Sequence, residues 1–342
     1  MKAAILVEQK KPLVIAEIEL PSKLEKGQVL VKVVCSGVCG SQIGEIDGVK
    51  GPDKFLPHLL GHEGGGIVEE IGPGVTTVKK GEHVVMHWRK GSGIESAPPK
   101  YKWGEKTVNA GWITTFNEKA IVSENRLTAI PKSVDFEIAA LMGCAVTTGY
   151  GVIDNNAKLK KGESVAIIGT GGVGLNMIQK ASIVGADKII AVDIFDHKLE
   201  LAKEFGATHI INSSKADVKE ELGKIVGGKG VDVAIDNTGN VKVIELAYEI
   251  TSSKGRTILV GVPKKGDKVS IYTLPLHFGK ILTGSHGGES APSVDIPKYI
   301  DIYKKRKLNL KSMITQTFDL NEINQAIDAM RKGEIVKCII KM

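Results

Sequence analysis

The apolar positions along this chain of 342 residues fall into two rhythms. From Met1 to about Pro131 they come in short runs, such as Val29–Val34, Gly66–Ile71 and His83–Met86, punctuated by Gly, Pro and Asp/Lys turns. That pattern predicts a β-rich domain with long loops. From about Gly162 it becomes a regular alternation: strand-like Ser164–Ile168, Lys188–Asp193, His209–Ile211, Val231–Asp236, Arg256–Gly261 and Ile281–Gly284, with helix-length segments between most of them. Strands alternating with helices imply βαβ units, hence an α/β fold with a doubly wound parallel sheet. Beyond that set, helical periodicity at Ile296–Lys305 and Leu320–Lys332 and an apolar strand at Val336–Ile340 mark a segment free to return to the first domain. The Lys304–Lys307 run reads as a solvated helix face.

Composition narrows the function classes. At ~150 residues per domain the length fits about two domains. With 42% hydrophobic and 25% charged residues the chain is ordinary globular material, far from the disordered regime. A net charge of +7 without a dense basic block argues against a nucleic-acid partner. Four cysteines are too few for a disulfide framework and point to reduced thiols or metal ligands. Met1–Pro12 alternates apolar and charged residues, reading as a first strand rather than a secretory signal. The longest uncharged stretch, Ile138–Ile153, is 16 residues, short of the ~20 needed for a bilayer span. A cytoplasmic protein without a membrane partner is expected.

The predicted strand Ser164–Ile168 runs directly into Gly169-Thr170-Gly171-Gly172-Val173-Gly174, followed by helix-forming Leu175–Val184. This fits G-x-G-x-x-G at Gly169, Gly171 and Gly174. The first glycine turns the chain, the second lets backbone approach a pyrophosphate, and the third lets helix pack on strand. The next strand ends in Asp193, 19 residues after Gly174, near the ~20 expected for a carboxylate on a ribose 2′-hydroxyl. A carboxylate there repels a 2′-phosphate, and neither Ile194 nor Phe195 supplies an arginine, so NAD is expected over NADP.

Three residues of metal-ligand type stand out in the first half: Cys39 in Val38-Cys39-Gly40-Ser41, His62 in Gly61-His62-Glu63, and Cys144 in Gly143-Cys144-Ala145. Two thiolates and an imidazole leave one tetrahedral position open, as a catalytic zinc requires. Single cysteines in apolar runs are also ordinary buried hydrophobes, and a loop histidine needs no metal, so the residues alone leave both readings open. Cys35 and Cys338 lie in predicted strands and read as buried thiols.

In these motifs the chain resembles the zinc-dependent alcohol dehydrogenases of the medium-chain dehydrogenase/reductase superfamily. The resemblance runs over essentially the whole length, through Cys39-Gly40-Ser41, Gly61-His62-Glu63 with Gly66 following, Cys144 with Thr148-Gly149-Tyr150-Gly151, and the glycine loop with Asp193. It implies a GroES-like β-rich catalytic domain at residues 1–145 and 287–342, split around a Rossmann domain at 146–286. It implies that Cys39, His62 and Cys144 bind the catalytic zinc, with Glu63 a nearby carboxylate that tunes it. Ser41 would relay the alcohol proton. Thr148 and Val173 would contact the nicotinamide, and Asp193 and Lys198 the adenine ribose. Gly169, Gly171, Gly172, Gly174 and Val262 would complete the NAD site, and Lys337 would stand near the pyrophosphate, where relatives often carry arginine. Trp88 would line the substrate pocket, and homodimers or homotetramers are common among relatives.

The chain also departs from that family. The stretch Trp88–Trp112, where many relatives hold a structural zinc on four cysteines, has none, so one zinc per chain is expected, with Trp88, Tyr101, Trp103 and Trp112 as the available anchors. Gly44 stands where liver-type relatives end the proton relay on a histidine, leaving His58 and His286 as candidates. Gln42 replaces a common aspartate that orients the zinc-binding histidine. The expected activity is hydride transfer between NAD and an alcohol or polyol, extending to sugar-derived or anionic alcohols because Arg89–Lys106 carries five cations against Glu95 and Glu105. The competing readings are a zinc-free quinone-reductase-like enzyme, which would lack the Cys/His/Cys set, and a non-catalytic NAD-binding scaffold.

Overall fold

The computed structural model describes residues 1–305 and 308–342, so the reading of Lys304–Lys307 lies in part outside the described residues. The chain divides into two compact units: Met1–Ala145 with Ala291–Met342, and Val146–Ser290.

In the first unit the strand Gln28–Gly37 organises the larger sheet, pairing antiparallel with Glu63–Ile71, Lys119–Ser123 and the C-terminal strand Cys338–Lys341. Its alternation sends Val29, Val31 and Val33 into one core with Val68, Val84 and Val122, as the period of two along a strand requires. A second sheet places Lys2–Leu6 between Val14–Glu17 and His58–Leu59. The segment after the second unit does return here. The helix expected over Leu320–Lys332 is instead a tight turn, Leu320–Glu322, followed by Ile323–Arg331. The reason is local: the Glu322 carboxylate accepts from the Asp319 N–H, a capping box that closes the turn before the helix proper.

A helical stretch over Phe136–Ala157, 22 residues, is longer than the uncharged run suggested because Glu137 and Asp154 lie inside its ends. By length and composition it could cross a membrane, yet 89% of its most apolar window is buried, as in a core helix. Its start can lie on the strand Glu63–Ile71 because Gly65 has no side chain: a Cβ there would come within 2.6 Å of the Phe136 carbonyl oxygen.

The cysteine-free stretch after Trp88 is pinned by the turn Ser123–Arg126. The buried Glu124 carboxylate accepts backbone N–H bonds from Thr76 at 2.6 Å, Thr77 at 2.8 Å and Ile94 at 2.7 Å. Ser123 Oγ accepts from Ser96 N and donates to the Ile94 carbonyl, while Arg126 donates to Glu95 and to the Trp88 carbonyl. Tyr101 is a core anchor whose hydroxyl accepts from Ile121 N. Trp112 is 46% exposed and instead lies under the Arg126 guanidinium, 5.2 Å away.

In the second unit six parallel strands stand in the spatial order His209–Asn212, Lys188–Asp193, Ser164–Ile168, Val231–Asp236, Thr251–Leu259, Ile281–Gly284. In chain order this is 3-2-1-4-5-6, the Rossmann arrangement. The fifth strand begins earlier than expected, and it ends at Leu259 because the next two N–H groups, of Val260 and Gly261, both turn to the Asp236 carbonyl.

Burial alone would raise the Glu124 carboxyl, but the three backbone donors outweigh it and hold the group below the usual range. A carboxylate with a depressed folded pKa contributes stability above its unfolded pKa and loses it as pH falls through the folded value. Glu124→Ala strands three N–H groups and should cost about 3 kcal/mol at neutral pH. Thermal unfolding of wild type and variant should converge as pH drops below ~4; a constant gap down to acid pH would contradict this role.

Candidate zinc and dinucleotide sites

Cys39 ends the strand-to-helix connection before Gly40–Ile46, His62 sits immediately before the strand Glu63–Ile71, and Cys144 follows the helix Phe136–Leu141. Gly143 brings the last of these in: its Cα meets the Glu63 backbone so closely that a Cβ would lie 2.9 Å from Glu63 Cα. The two sulfurs and one imidazole nitrogen come within 4.8 Å of one another. Tetrahedral zinc with Zn–S near 2.3 Å would draw such atoms to about 3.5–3.8 Å.

Three observations fit a dication to this cluster. His62 Nε2 is buried with no hydrogen-bond partner, an orphan that calls for an ion or water. The hydrogen bond shared with Cys144 drives the Cys39 thiol well below its usual range and drives Cys144 up. Burial lowers His62, but contact with the Cys39 sulfur and its charge raise it overall. Written as ligands, two thiolates and the Glu63 carboxylate face a single ammonium, Lys337, leaving two negative charges uncompensated.

Lys337 has partners that its place in the sequence does not announce. Its Nζ is buried, donates to the Val38 carbonyl at 2.9 Å and forms an ion pair with Glu63. It is the counter-charge to a fully buried carboxylate. Burial pushes the Glu63 carboxyl up and Lys337 pulls against it; on Lys337 the carboxylate outweighs burial and keeps the ammonium. Glu63 Oε2 has no partner and is buried. Gln42 does not touch the His62 ring: its side-chain carbonyl accepts the Gly61 N–H and its amide donates to Glu45. Ser41 Oγ lies 3.4 Å from Cys39 Sγ, beside the cluster. The Trp88 ring is 6.4 Å from that of His62, centroid to centroid. Cys35 and Cys338 are buried, their thiols pushed up by burial to about 12 and about 11.

The glycine turn lies in the second unit at the carboxyl ends of the parallel strands, where open α/β sheets bind ligands. Gly169 has φ +96°, and a Cβ on Gly174 would collide with the Gly169 carbonyl oxygen. A Cβ on Gly171, by contrast, would meet no protein atom, so bare backbone at the start of helix Gly172–Val184 faces open space, the cradle an anion needs. Asp193 Oδ2 accepts from both the N–H and hydroxyl of Thr170, at 2.8 and 3.0 Å, tying the turn to the tip of the next strand. Lys198 sits near it with Nζ 4.7 Å over the Phe195 ring. Val262 is 58% exposed beyond the fifth strand, against Gly239. Thr148 is buried in the helical segment Thr147–Gly151, and Val173 is in the first turn of Gly172–Val184.

Residues the sequence reading missed complete this end of the sheet. Asp236 is buried and accepts from Thr238 and Gly239, while Asn237 donates to the Gly169 carbonyl at 3.2 Å. The turn-rich tetrad Asp236-Asn237-Thr238-Gly239 directly after a strand was the available signal.

Comparison with known proteins agrees with this geometry. Residues 25–132 match the model of the alcohol dehydrogenase GroES-like domain, and residues 172–305 that of the zinc-binding dehydrogenases. The chain is 31% identical to S-(hydroxymethyl)glutathione dehydrogenase of Paracoccus denitrificans, covering 99% of each, and 32% identical to alcohol dehydrogenase class-P of Arabidopsis thaliana, covering 100% of this chain and 97% of the relative. Among solved structures it is similar to benzyl alcohol dehydrogenase of Acinetobacter calcoaceticus, with TM-score 0.90 and 30% identity over 100% of this chain and 99% of that one. Family matches in both halves and full-length relatives above 30% identity carry the conclusion: the chain belongs to the zinc-dependent alcohol dehydrogenases of the medium-chain dehydrogenase/reductase superfamily, enzymes that move a hydride between an alcohol and NAD.

Proposed function

We propose that this chain holds one tightly bound zinc on Cys39, His62 and Cys144 and there interconverts a small alcohol and its carbonyl compound with NAD. The observation that carries the reading is the orphaned His62 Nε2, whose cluster with the Cys39 and Cys144 sulfurs brings one ligand atom of each within 4.8 Å of the others. Zinc bound there supplies a Lewis acid that eases loss of the alcohol proton, and NAD supplies the hydride acceptor. Ser41 Oγ, held in place by its contact to the Cys39 sulfur, would accept that proton while passing its own hydroxyl proton on to the nicotinamide ribose and water. Glu63 and Lys337 fix the charge behind the ligands. Trp88 forms one wall of the substrate pocket. The Arg89 guanidinium, 5.9 Å from that ring, favours an alcohol with an anionic or hydroxylated tail. No cysteine is left to hold a second zinc in the lobe after Trp88, where the Glu124 carboxylate does the pinning. A cytoplasmic setting suits a chain whose four cysteines are all free.

Two substitutions separate the ligand role from the proton role. Cys144→Ser should lower zinc content below about one per chain and turnover with it. Ser41→Ala should leave zinc in place while kcat falls roughly 10²- to 10⁴-fold, and Ser41→Thr should keep much of the activity. Metal analysis beside NADH absorbance assays reads both; full activity of metal-free protein would sink the assignment.

Asp193 should make NAD the preferred coenzyme. Asp193→Ala removes the acceptor for ribose hydroxyls and the repulsion of a 2′-phosphate, so the kcat/KM preference for NAD over NADP should shrink roughly 10- to 100-fold. Because Thr170 also loses its partner, kcat/KM with NAD itself should fall. A wild-type preference for NADP would contradict the role.

The sheet of the second unit ends on the strand Ile281–Gly284, paired on one side only and flanked by exposed Ile281, Phe278 and Tyr272. An unblocked apolar edge is a template for pairing with another chain, and we assign it to a homo-oligomer contact. Sedimentation should give a multiple of 36.6 kDa, and Phe278→Lys with Ile281→Lys should move it to the monomer; an unchanged oligomer would rule this edge out.

A further inference from the structure

Trp88 stands just past the end of the strand His83–His87, where sheet pairing no longer dictates the backbone, yet its ring holds a definite place 6.4 Å from that of His62. Something other than the sheet must fix it. Carbonyl groups that follow a strand lose their ladder partners and have to find others. Here the first two are taken by buried side chains: the Trp88 carbonyl accepts from Arg126 at 3.1 Å, and the Arg89 carbonyl accepts from Nδ1 of His87 at 2.8 Å.

The bond from His87 spans Trp88. It runs from the side chain of one residue to the backbone of the second residue on, so it closes a ring of atoms that contains both backbone torsions of Trp88. With those torsions held, the direction of the Trp88 Cα–Cβ bond is held too. The imidazole is itself anchored on its far side, where Nε2 lies 2.9 Å from Thr128 Oγ1 on the paired strand Leu127–Ile130. The partners admit one neutral assignment. The Arg89 carbonyl can only accept, so Nδ1 carries the hydrogen, and Nε2 accepts from the Thr128 hydroxyl. Burial pushes the ring down to about 4, against the pull of the Arg89 carbonyl, so it stays neutral at neutral pH with both nitrogens satisfied. His87 is fully buried, and Gly91 makes room for it: a Cβ there would lie 3.2 Å from His87 Cε1.

We propose that His87 is a positioning residue for substrate recognition: it sets the aim of Trp88 beside the Cys39, His62 and Cys144 cluster, and through that the affinity for the alcohol. The proposal rests on Trp88 forming a wall of the substrate pocket. No proton or hydride passes through His87, so its loss should be felt in binding rather than in turnover.

The test exploits the two nitrogens. Asparagine places an N–H donor where Nδ1 stands and nothing at Nε2, whereas glutamine reaches toward Thr128 and places no donor at Nδ1. His87→Asn should therefore keep the alcohol KM within ~3-fold of wild type, while His87→Gln should raise it roughly 10-fold with kcat, the KM for NAD and zinc content little changed. Ethanol, 1-butanol and benzyl alcohol serve as probes, read by NADH absorbance. In a Trp88→Ala background His87→Gln should add nothing further to KM. A second readout needs no turnover. The chain has three tryptophans, and Trp103→Phe with Trp112→Phe leaves Trp88 as the sole emitter. In that background His87→Gln should raise acrylamide quenching about 2-fold and lower the anisotropy, and His87→Asn should do neither. Thermal unfolding checks folding; if His87→Gln fails to fold, Thr128→Val, which frees the ring at Nε2 with little change of volume, should move KM and quenching the same way. Equal effects of His87→Asn and His87→Gln, a loss confined to kcat, or full additivity with Trp88→Ala would overturn the proposal. A wild type that oxidises none of the probes would count against the alcohol reading itself, and the quenching comparison would still decide whether His87 aims Trp88.

Discussion

The ion pair of Glu63 and Lys337 is the constraint on which the first unit turns. Both groups are buried, and removing one partner from such a pair typically costs ~3–5 kcal/mol because the other charge is stranded. Lys337 also donates to the Val38 carbonyl, next to Cys39. One ammonium thus joins the chain at residues 38, 63 and 337. That requirement explains why the last segment must return across the second unit's sequence to pair Cys338–Lys341 with Gln28–Gly37. It also places one permanent positive charge beside the Glu63 carboxylate and the Cys39 and Cys144 sulfurs.

The strands of the parallel sheet were legible almost to the residue, because their continuous apolar runs have no alternative reading once helices lie between them. Ser164–Ile168, Lys188–Asp193, Val231–Asp236 and Ile281–Gly284 form as expected. The glycine motif was legible because it carries its chemistry in residue type and spacing, whereas the Cys39, His62 and Cys144 set was open on the residues alone and became a ligand set only through the family resemblance. What was hidden depends on pairing across long sequence separation. Nothing near Lys337 in sequence announces a partner 274 positions away. Gln42 was seen as a substitution, but its partner, the backbone N–H of Gly61, was not legible in the sequence.

Both functional sites use backbone approach that only glycine permits. At Gly143 the helix carrying Cys144 touches the strand carrying Glu63, and at Gly174 a helix touches the glycine turn itself. In each case a methyl group would separate two elements whose contact sets a ligand's position. Gly171 is different, since its missing side chain leaves room for something the protein does not contain. The same residue type therefore marks internal contact in one place and a waiting binding surface in another, and only the surroundings distinguish them.

The lobe after Trp88, a stretch without cysteine, is fixed by a carboxylate. A zinc on four thiolates would fix such a loop through bonds that need deprotonated cysteines. Here the Glu124 carboxylate collects three backbone N–H groups from two separate loops, and Ser123 and Arg126 add side-chain bonds to the same stretch. The anion plays the part of an inverted metal centre: charge at the middle, backbone dipoles around it. Such a hub is indifferent to chelators and sensitive to acid, because protonation removes the charge that gathers its donors. Stability of the lobe and chemistry at the thiolate cluster consequently answer to different variables. The lobe's anchor at Glu124 and the Cys39, His62 and Cys144 cluster share no side chain.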